Sequence, residues 1–152
     1  MKFFHLLFTG LLILSCGAKK NSINTEQKED TQAKSTIKVD AVIGQFAKES
    51  DPITTIDTVF IEGNTMYIDL TYGGGCKEHE FEVIGSLAIA KSYPPIRSLQ
   101  IVHNANNDMC RALVNVRLEV NIENVAYKQE AGSEIYYTLE GWNERIYHKY
   151  VN

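Results

Sequence analysis

The stretch TVFIEGNTMYIDLTY, residues 58–72, alternates apolar and polar side chains on both sides of a Gly63-Asn64 pair. A two-residue Gly-Asn loop between two such runs predicts a tight β-hairpin. The short turn also fixes the register, with Ile61 opposite Met66. That register puts four apolar side chains on one face of the hairpin: Val59, Ile61, Met66 and Ile68.

The same period of two residues recurs along the chain. The longest run is residues 112–122, in which every second residue from Ala112 to Ile122 is apolar. Further runs occupy residues 79–83, 97–103, 134–140 and 144–151, whereas residues 85–91 fit either a helix or a strand that continues past a bulge at Gly85. Seven or so short strands, each with one apolar face, predict an all-β domain over residues 37–152. An antiparallel, Ig-like β-sandwich is the preferred architecture and a small β-barrel is the alternative.

The N-terminus has the pattern of an export signal. Lys2 precedes an apolar run at residues 3–14, which is too short to span a bilayer because a spanning helix needs about 20 residues. The run ends in Ile13-Leu14-Ser15-Cys16, which resembles the lipobox of bacterial lipoproteins. This resemblance implies that residues 1–15 are removed and that lipid is attached to Cys16. An ordinary secretory signal, in which Cys16 is incidental, is the alternative, but it would favour an A-x-A cleavage site and none is present.

A lipidated Cys16 predicts a cell-envelope protein held on a membrane by its acyl chains. Gly17 follows in place of the Asp that is associated with retention on an inner membrane, which favours the outer membrane if the source has one. Residues 16–36 are polar and contain one large apolar residue, Ile23, so a disordered tether is expected there. The formal net charge is −4 and the basic residues are not clustered, which argues against a nucleic-acid partner.

Two cysteines remain once Cys16 is lipidated, namely Cys76 and Cys110. An exported protein lies where disulfides persist, so these two are expected to form a disulfide bond. Residues 92–95, Ser-Tyr-Pro-Pro, form a turn between the strands that precede and follow it. If the hairpin is centred on Tyr93, Cys76 lies opposite Cys110 at a separation that a disulfide can bridge.

A metal site is the alternative interpretation of the same segment. Cys76, His79, His103 and Cys110 are four good ligands for Zn or Cu(I), and a hairpin centred on Lys91 would place His79 opposite His103. However, neither Cys-His spacing is that of a zinc finger, and exported thiols tend to oxidise. The preferred interpretation is therefore a disulfide with two structural histidines and no cofactor.

Familiar catalytic motifs are missing from the sequence, which contains no G-x-S-x-G, no H-E-x-x-H and no P-loop. A non-enzymatic binding or accessory role is therefore expected, with an unknown envelope protein or ligand as partner. The contact surface is predicted at the aromatic C-terminal end, unless these residues fill the core instead: Tyr136, Tyr137, Trp142, Tyr147 and Tyr150.

One segment resembles a known group of proteins. The motif G-G-G-C-x-x-H-x-F, from Gly73 to Phe81, is followed by Pro94-Pro95, His103, Asn107-Asp108, Cys110 and Ala112. Over residues 59–122 this pattern is similar to small NigD-like bacterial lipoproteins and their uncharacterised relatives. The resemblance implies a lipid-anchored β-sandwich and carries no reaction or ligand.

Overall fold

The computed structural model of the protein describes residues 34–152. The predicted signal segment 1–15, the predicted lipidation site at Cys16 and the predicted tether up to residue 33 lie outside the described residues. Of the tether, residues 34–36 are described, and Ser35 and Thr36 belong to the first strand. Their backbones pair with Val116 and Arg117, which shows that strand pairing extends into the polar segment.

Eight β-strands and one short 3-10 turn make up the described chain. The strands are β1 (Ser35–Gly44), β2 (Ile53–Glu62), β3 (Thr65–Gly74), β4 (Glu80–Ala90), β5 (Ile96–Asn104), β6 (Ala112–Asn121), β7 (Glu134–Leu139) and β8 (Ile146–Lys149). The 3-10 turn, Glu123–Val125, follows β6. In this part of the chain, no helix has the length and apolar character needed to cross a membrane.

The strands form one nearly closed, barrel-like sheet in the order β2-β3-β6-β1-β4-β5-β7-β8. The all-β prediction is confirmed, and the architecture matches the small-barrel alternative rather than the sandwich. The expectation of purely antiparallel pairing is wrong, because β1 runs parallel to both β4 and β6, and β5 runs parallel to β7.

Strand β1 holds the sheet together at its centre. Its first half, residues 35–40, pairs with β6, and its second half, residues 41–44, pairs with β4. It therefore connects the β2-β3-β6 part of the sheet to the β4-β5-β7-β8 part. This strand was not among those predicted from the sequence.

The hairpin at Gly63-Asn64 is confirmed with its predicted register, since Ile61 pairs with Met66 and Val59 with Ile68. Residues 85–91 take the strand alternative, because β4 continues to Ala90 with an irregularity between Gly85 and Ile89. The apolar faces of the strands meet inside the barrel, where the side chains with no solvent exposure include Met66, Ile68, Leu70, Val116, Leu118 and Val120.

Asn64, in the β2–β3 turn, connects the two edges of the sheet, which are formed by β2 and β8. Its side-chain nitrogen donates to the Val151 carbonyl oxygen at 2.6 Å, and its side-chain oxygen accepts from the Val151 amide at 3.1 Å. The same oxygen lies 3.2 Å from Nε2 of His148 in β8. One turn residue therefore links the β2–β3 hairpin to the end of the C-terminal strand.

Candidate functional site

Two loops meet beyond the ends of β3 and β5. The β3–β4 loop contains Cys76, and the β5–β6 loop contains Cys110. The cysteines form the predicted disulfide bond, with their Cα atoms 5.9 Å apart. Cys76 is exposed and Cys110 is half-buried, so the bond can be reached from solvent.

The register between β4 and β5 matches one prediction near the turn and neither prediction farther from it. Close to the turn, Ile89 pairs with Arg97, as expected for a hairpin centred on Tyr93. Beyond the irregularity in β4 the pairing is shifted, and Phe81 lies opposite His103. The cysteines still meet because both lie in loops outside the paired strands.

Asp108 connects the two loops by hydrogen bonds that do not depend on the disulfide. Its Oδ2 atom accepts from the backbone amides of Cys76 at 2.8 Å and Lys77 at 3.0 Å. Its Oδ1 atom accepts from the Cys110 amide at 2.9 Å. The Asp108 side chain is 1% exposed, so this carboxylate is enclosed by the loops that it joins.

Lys77 adds further hydrogen bonds between the same two loops. Its Nζ atom donates to the backbone oxygens of Asn106 at 2.8 Å and Asn107 at 3.0 Å. Both asparagines have left-handed φ angles, of 51° and 55°, which Asn tolerates better than most residues. The Asn-Asn-Asp sequence therefore allows the tight turn that aims the Asp108 carboxylate at the cysteine loops.

The two predicted site histidines are in direct contact beneath the disulfide. Nδ1 of His79 lies 2.7 Å from Nε2 of His103, and Nε2 of His79 lies 3.2 Å from Oδ2 of Asp108. The His79 ring stacks on Tyr72, with the ring centroids 4.4 Å apart. The His103 ring stacks on Phe81, with the ring centroids 4.7 Å apart. Both histidines are buried, as their positions on apolar strand faces predict.

The negative charge on Asp108 determines which ring nitrogens of His79 and His103 donate hydrogen bonds and which accept them. The backbone amide of Cys110, followed by those of Cys76 and Lys77, holds the pKa of Asp108 well below its usual range, although burial opposes the shift. An ionised Asp108 can only accept, so Nε2 of His79 is the donor between them. When His79 is neutral, its Nδ1 atom accepts from Nε2–H of His103.

Asp108 was named from the sequence only as part of the NigD-like pattern and was given no role at the site, and Lys77 was not named. A single Asp among asparagines is a weak sign of a site, because these residues are typical of polar turns. The available signal was the position of Asp108, two residues before a cysteine expected in a disulfide. From that position a carboxylate can accept from the cysteine's own amide.

Only some of the aromatic side chains at the C-terminal end are exposed to solvent. Tyr137 is fully buried, and Trp142 packs against the core. Tyr137 follows the core interpretation because β7 directs alternate side chains inwards, whereas Trp142 packs against the core from the β7–β8 loop. Tyr147 is 46% exposed and donates to Glu134 at 2.6 Å.

Replacing Gly74 by alanine is expected to disturb the histidine pair. A Cβ at Gly74 would lie 2.6 Å from Cε1 and Nε2 of His79 and 3.1 Å from Oδ2 of Asp108, so the contact between the ring and the carboxylate would have to change. We expect a loss of about 1–3 kcal/mol in the free energy of unfolding, as for other overpacked sites. Urea denaturation and the imidazole NMR signals of His79 would measure the effect. Gly73→Ala is the matched control, since nothing lies within 4 Å of a Cβ there, and equal effects from the two variants would contradict the prediction.

Mild acid is expected to destabilise the fold through two buried histidines. Burial, followed by the charge of nearby His79, lowers the pKa of His103, and burial lowers the pKa of His148. Between these lowered values and the unfolded value near 6.5, the unfolded chain binds more protons than the folded chain. The free energy of unfolding should therefore fall as the pH falls through this window, by up to about 1.4 kcal/mol per pH unit for each histidine.

Urea denaturation between about pH 5 and pH 7 checks this prediction. A His148→Gln variant should show a shallower slope, because one of the two titrating groups is removed. Asp69 and Asp108 do not interfere, since their pKa values are lowered and they titrate at a lower pH than this window. A free energy of unfolding that stays constant or rises on acidification would contradict the prediction.

The fold and the site together define a class: a barrel-like all-β domain in which one disulfide and one carboxylate join two loops above a buried histidine pair. A solved structure of a NigD-like immunity protein from Bacteroides caccae is similar, with a TM-score of 0.54 and 15% sequence identity over 70% of this chain and 57% of that chain. A protein of unknown function (DUF1344) from Bacteroides vulgatus is also similar, with a TM-score of 0.51 and 11% identity over 78% of this chain and 58% of that chain. The alignments thus span less than two thirds of either solved protein.

At these identities the likeness concerns the fold, and it is consistent with the resemblance seen in residues 59–122. No family model matches the sequence. No curated protein matches it either.

Proposed function

We propose that this protein is a cell-envelope lipoprotein, anchored through lipid on Cys16, whose β-domain binds another envelope component without catalysing a reaction. The anchor rests on the sequence Ile13-Leu14-Ser15-Cys16. The binding role rests on one structural observation, a cleft lined by exposed aromatic side chains.

This cleft lies between the β4–β5 turn and the loop that precedes β7, and has a volume of about 690 Å³. Tyr93 and Tyr127 line it and are 98% and 48% exposed. Pro94 and Pro95 add a rigid apolar wall. Tyrosine is favoured at protein interfaces because it offers a large apolar ring and a hydroxyl while losing little conformational entropy.

The charges around the cleft suit a polar partner surface. Lys91 and Lys128 lie on its lining together with Glu130 and Glu134, so both signs of charge are present. A surface that combines aromatic and apolar side chains with charged ones is compatible with a protein–protein interface.

Site-specific photo-crosslinking in the source cells tests the binding role. A photoreactive amino acid placed at position 93 or 127 should give a discrete crosslinked product. The matched control is position 113 on β6, where Leu113 is 68% exposed and lies away from the cleft lining. Absence of product at both cleft positions, or the same product at position 113, would contradict the proposal.

Once the crosslinked partner is known, its affinity gives a second measurement. The Tyr93→Ala/Tyr127→Ala double variant should weaken binding by about 30-fold or more, as expected for aromatic residues at the centre of an interface. The Leu113→Ala variant should leave the affinity unchanged.

The anchor is tested separately. Mass spectrometry of the envelope fraction should find an acylated N-terminal Cys16 and no intact Met1 chain. A Cys16→Ser variant should lose the acyl chains and leave the membrane fraction. An unprocessed Met1 chain in the wild-type protein would overturn the anchor.

A further inference from the structure

We propose that the dithiol form of this protein binds one zinc ion through Cys76, Cys110, Asp108 and His79, and that the disulfide closes this site. The inference is independent of the proposed binding function, which uses a different surface.

Three of the four ligands are already assembled. Ligand atoms of Cys76, Cys110 and Asp108 all lie within 4.8 Å of one another. The backbone amides of both cysteines donate to the Asp108 carboxylate, at 2.8 Å and 2.9 Å. Because these hydrogen bonds do not involve sulfur, they continue to hold the two loops together after the disulfide is reduced.

His79 supplies the fourth ligand from below. Its Nε2 atom lies 3.2 Å from Oδ2 of Asp108 and points to the same carboxylate that holds the cysteines. Its other nitrogen lies 2.7 Å from Nε2 of His103. To bind zinc, Nε2 of His79 must give up its proton, so that neutral His79 carries its proton on Nδ1 and donates to Nε2 of His103, whose own proton then lies on Nδ1. A metal-binding histidine usually donates its second ring N–H in this way, which fixes the orientation of the ring.

The proposed ligand set differs from the Cys76, His79, His103, Cys110 quartet expected from the sequence. His103 contacts the far nitrogen of His79, so its role is to position the ligand. Asp108, to which no ligand role was assigned from the sequence, takes the vacant fourth place in the set.

The chemistry of the set suits zinc. Two thiolates, an imidazole and a carboxylate are all ligands that Zn²⁺ accepts in four-coordinate sites. A tetrahedral ion with Zn–S bonds of about 2.3 Å needs its two sulfurs about 3.8 Å apart. The sulfurs must therefore separate by about 2 Å after reduction. Gly73, Gly74 and Gly75 directly precede Cys76 and give the loop the freedom for this movement.

The Cys76–Cys110 disulfide can be reduced by a dithiol, and the electrons and protons of this reaction balance. The dithiol transfers two electrons and two protons to the Cys76–Cys110 bond, which yields two protein thiols and a cyclic disulfide of the reductant. Binding of Zn²⁺ then releases the two thiol protons, because the ligands are thiolates. Cys76 is an exposed residue, and a reductant can therefore approach the disulfide from its side.

Zinc uptake by the full chain, purified in detergent, tests the proposal. The chain is assayed in oxidised form and after reduction with a dithiol that is then removed under anaerobic conditions. We expect no bound zinc in the oxidised chain and one zinc per reduced chain. Cobalt in place of zinc should give the absorption of a tetrahedral ion with thiolate ligands, a signature that non-specific surface binding does not produce.

Single substitutions test which side chains bind the zinc ion. Asp108→Asn and His79→Gln should each lower the zinc affinity of the reduced chain at least 10-fold, and His103→Gln should lower it by about 10- to 100-fold through the orientation of His79. Asp40→Asn, at an exposed carboxylate on β1, is the matched control and should leave the affinity unchanged. The folding of each variant is checked by circular dichroism in the oxidised form, where the disulfide is retained.

Three outcomes would overturn the proposal. The first is a reduced wild-type chain that takes up less than stoichiometric zinc. The second is equal zinc uptake by the Cys76→Ser/Cys110→Ser variant. The third is an Asp108→Asn affinity equal to that of Asp40→Asn. If a variant does not fold, protection of the wild-type thiols from alkylation by added zinc decides the question, and unprotected thiols would refute the site.

Discussion

The Cys76→Ser/Cys110→Ser double variant is expected to lose about 4 kcal/mol of the free energy of unfolding, if the chain-entropy model of disulfides holds. The two cysteines are 34 residues apart, so the bond removes a large loop-closure entropy from the unfolded chain. A domain of this size is stable by about 5–15 kcal/mol, so the loss is a large share of the total. Urea denaturation of the full chain in detergent, with a chelator present to exclude metal, measures the difference.

A comparison with reduced wild-type protein makes this measurement decisive. Reduced wild-type protein, also with chelator, should match the double variant, because both lack the crosslink and differ only in sulfur and oxygen atoms. The Asp108 hydrogen bonds remain in both, so the folded loops keep their positions. A loss below about 1 kcal/mol would show that the loop is not constrained in the way the model assumes, and would contradict the prediction.

Local features of the fold were predictable from the sequence. The Gly63-Asn64 hairpin was found with its register because a two-residue turn and the alternation of its flanking strands depend only on neighbouring residues. The disulfide was found because two thiols remained after Cys16 was assigned to lipid. These inferences needed no knowledge of distant pairing.

Non-local features were not predictable in the same way. Strand β1 has a readable alternation at Ile37, Val39 and Ala41, but its place between β6 and β4 arises from parallel pairing with strands distant in sequence. The extra β4 residues between Gly85 and Ile89 shift the register of the hairpin, and alternation alone does not show where such an irregularity lies.

In the candidate site, too, local features could be predicted from the sequence and non-local contacts could not. His79 and His103 were recognised from residue type and strand position, yet their contact depends on that shifted register. The role of Asp108 was missed because it comes from backbone amides of a loop 31 residues away at Lys77 and 32 away at Cys76. A carboxylate that accepts from backbone groups leaves little trace in the sequence, since any loop residue except proline can provide the donor.

Replacing Leu118 by alanine is expected to lower the free energy of unfolding by about 2–5 kcal/mol. Leu118 has no solvent exposure and lies in β6, where it pairs with Ile68 of β3 on one side and Ile37 of β1 on the other. Because β6 is held by strands on both sides, the backbone cannot close the space that a lost side chain leaves. The penalty should therefore combine the lost burial with the free energy of a persistent cavity.

Leu113→Ala on the same strand is the matched control for this prediction. The substitution is chemically identical, but Leu113 is 68% exposed, so removing its side chain creates no cavity. Its effect should stay within about 0.5 kcal/mol, as for other surface positions. Urea denaturation of both variants measures the contrast, and similar losses at positions 113 and 118 would mean that the face of β6 that carries Leu118 is not the interior of the barrel.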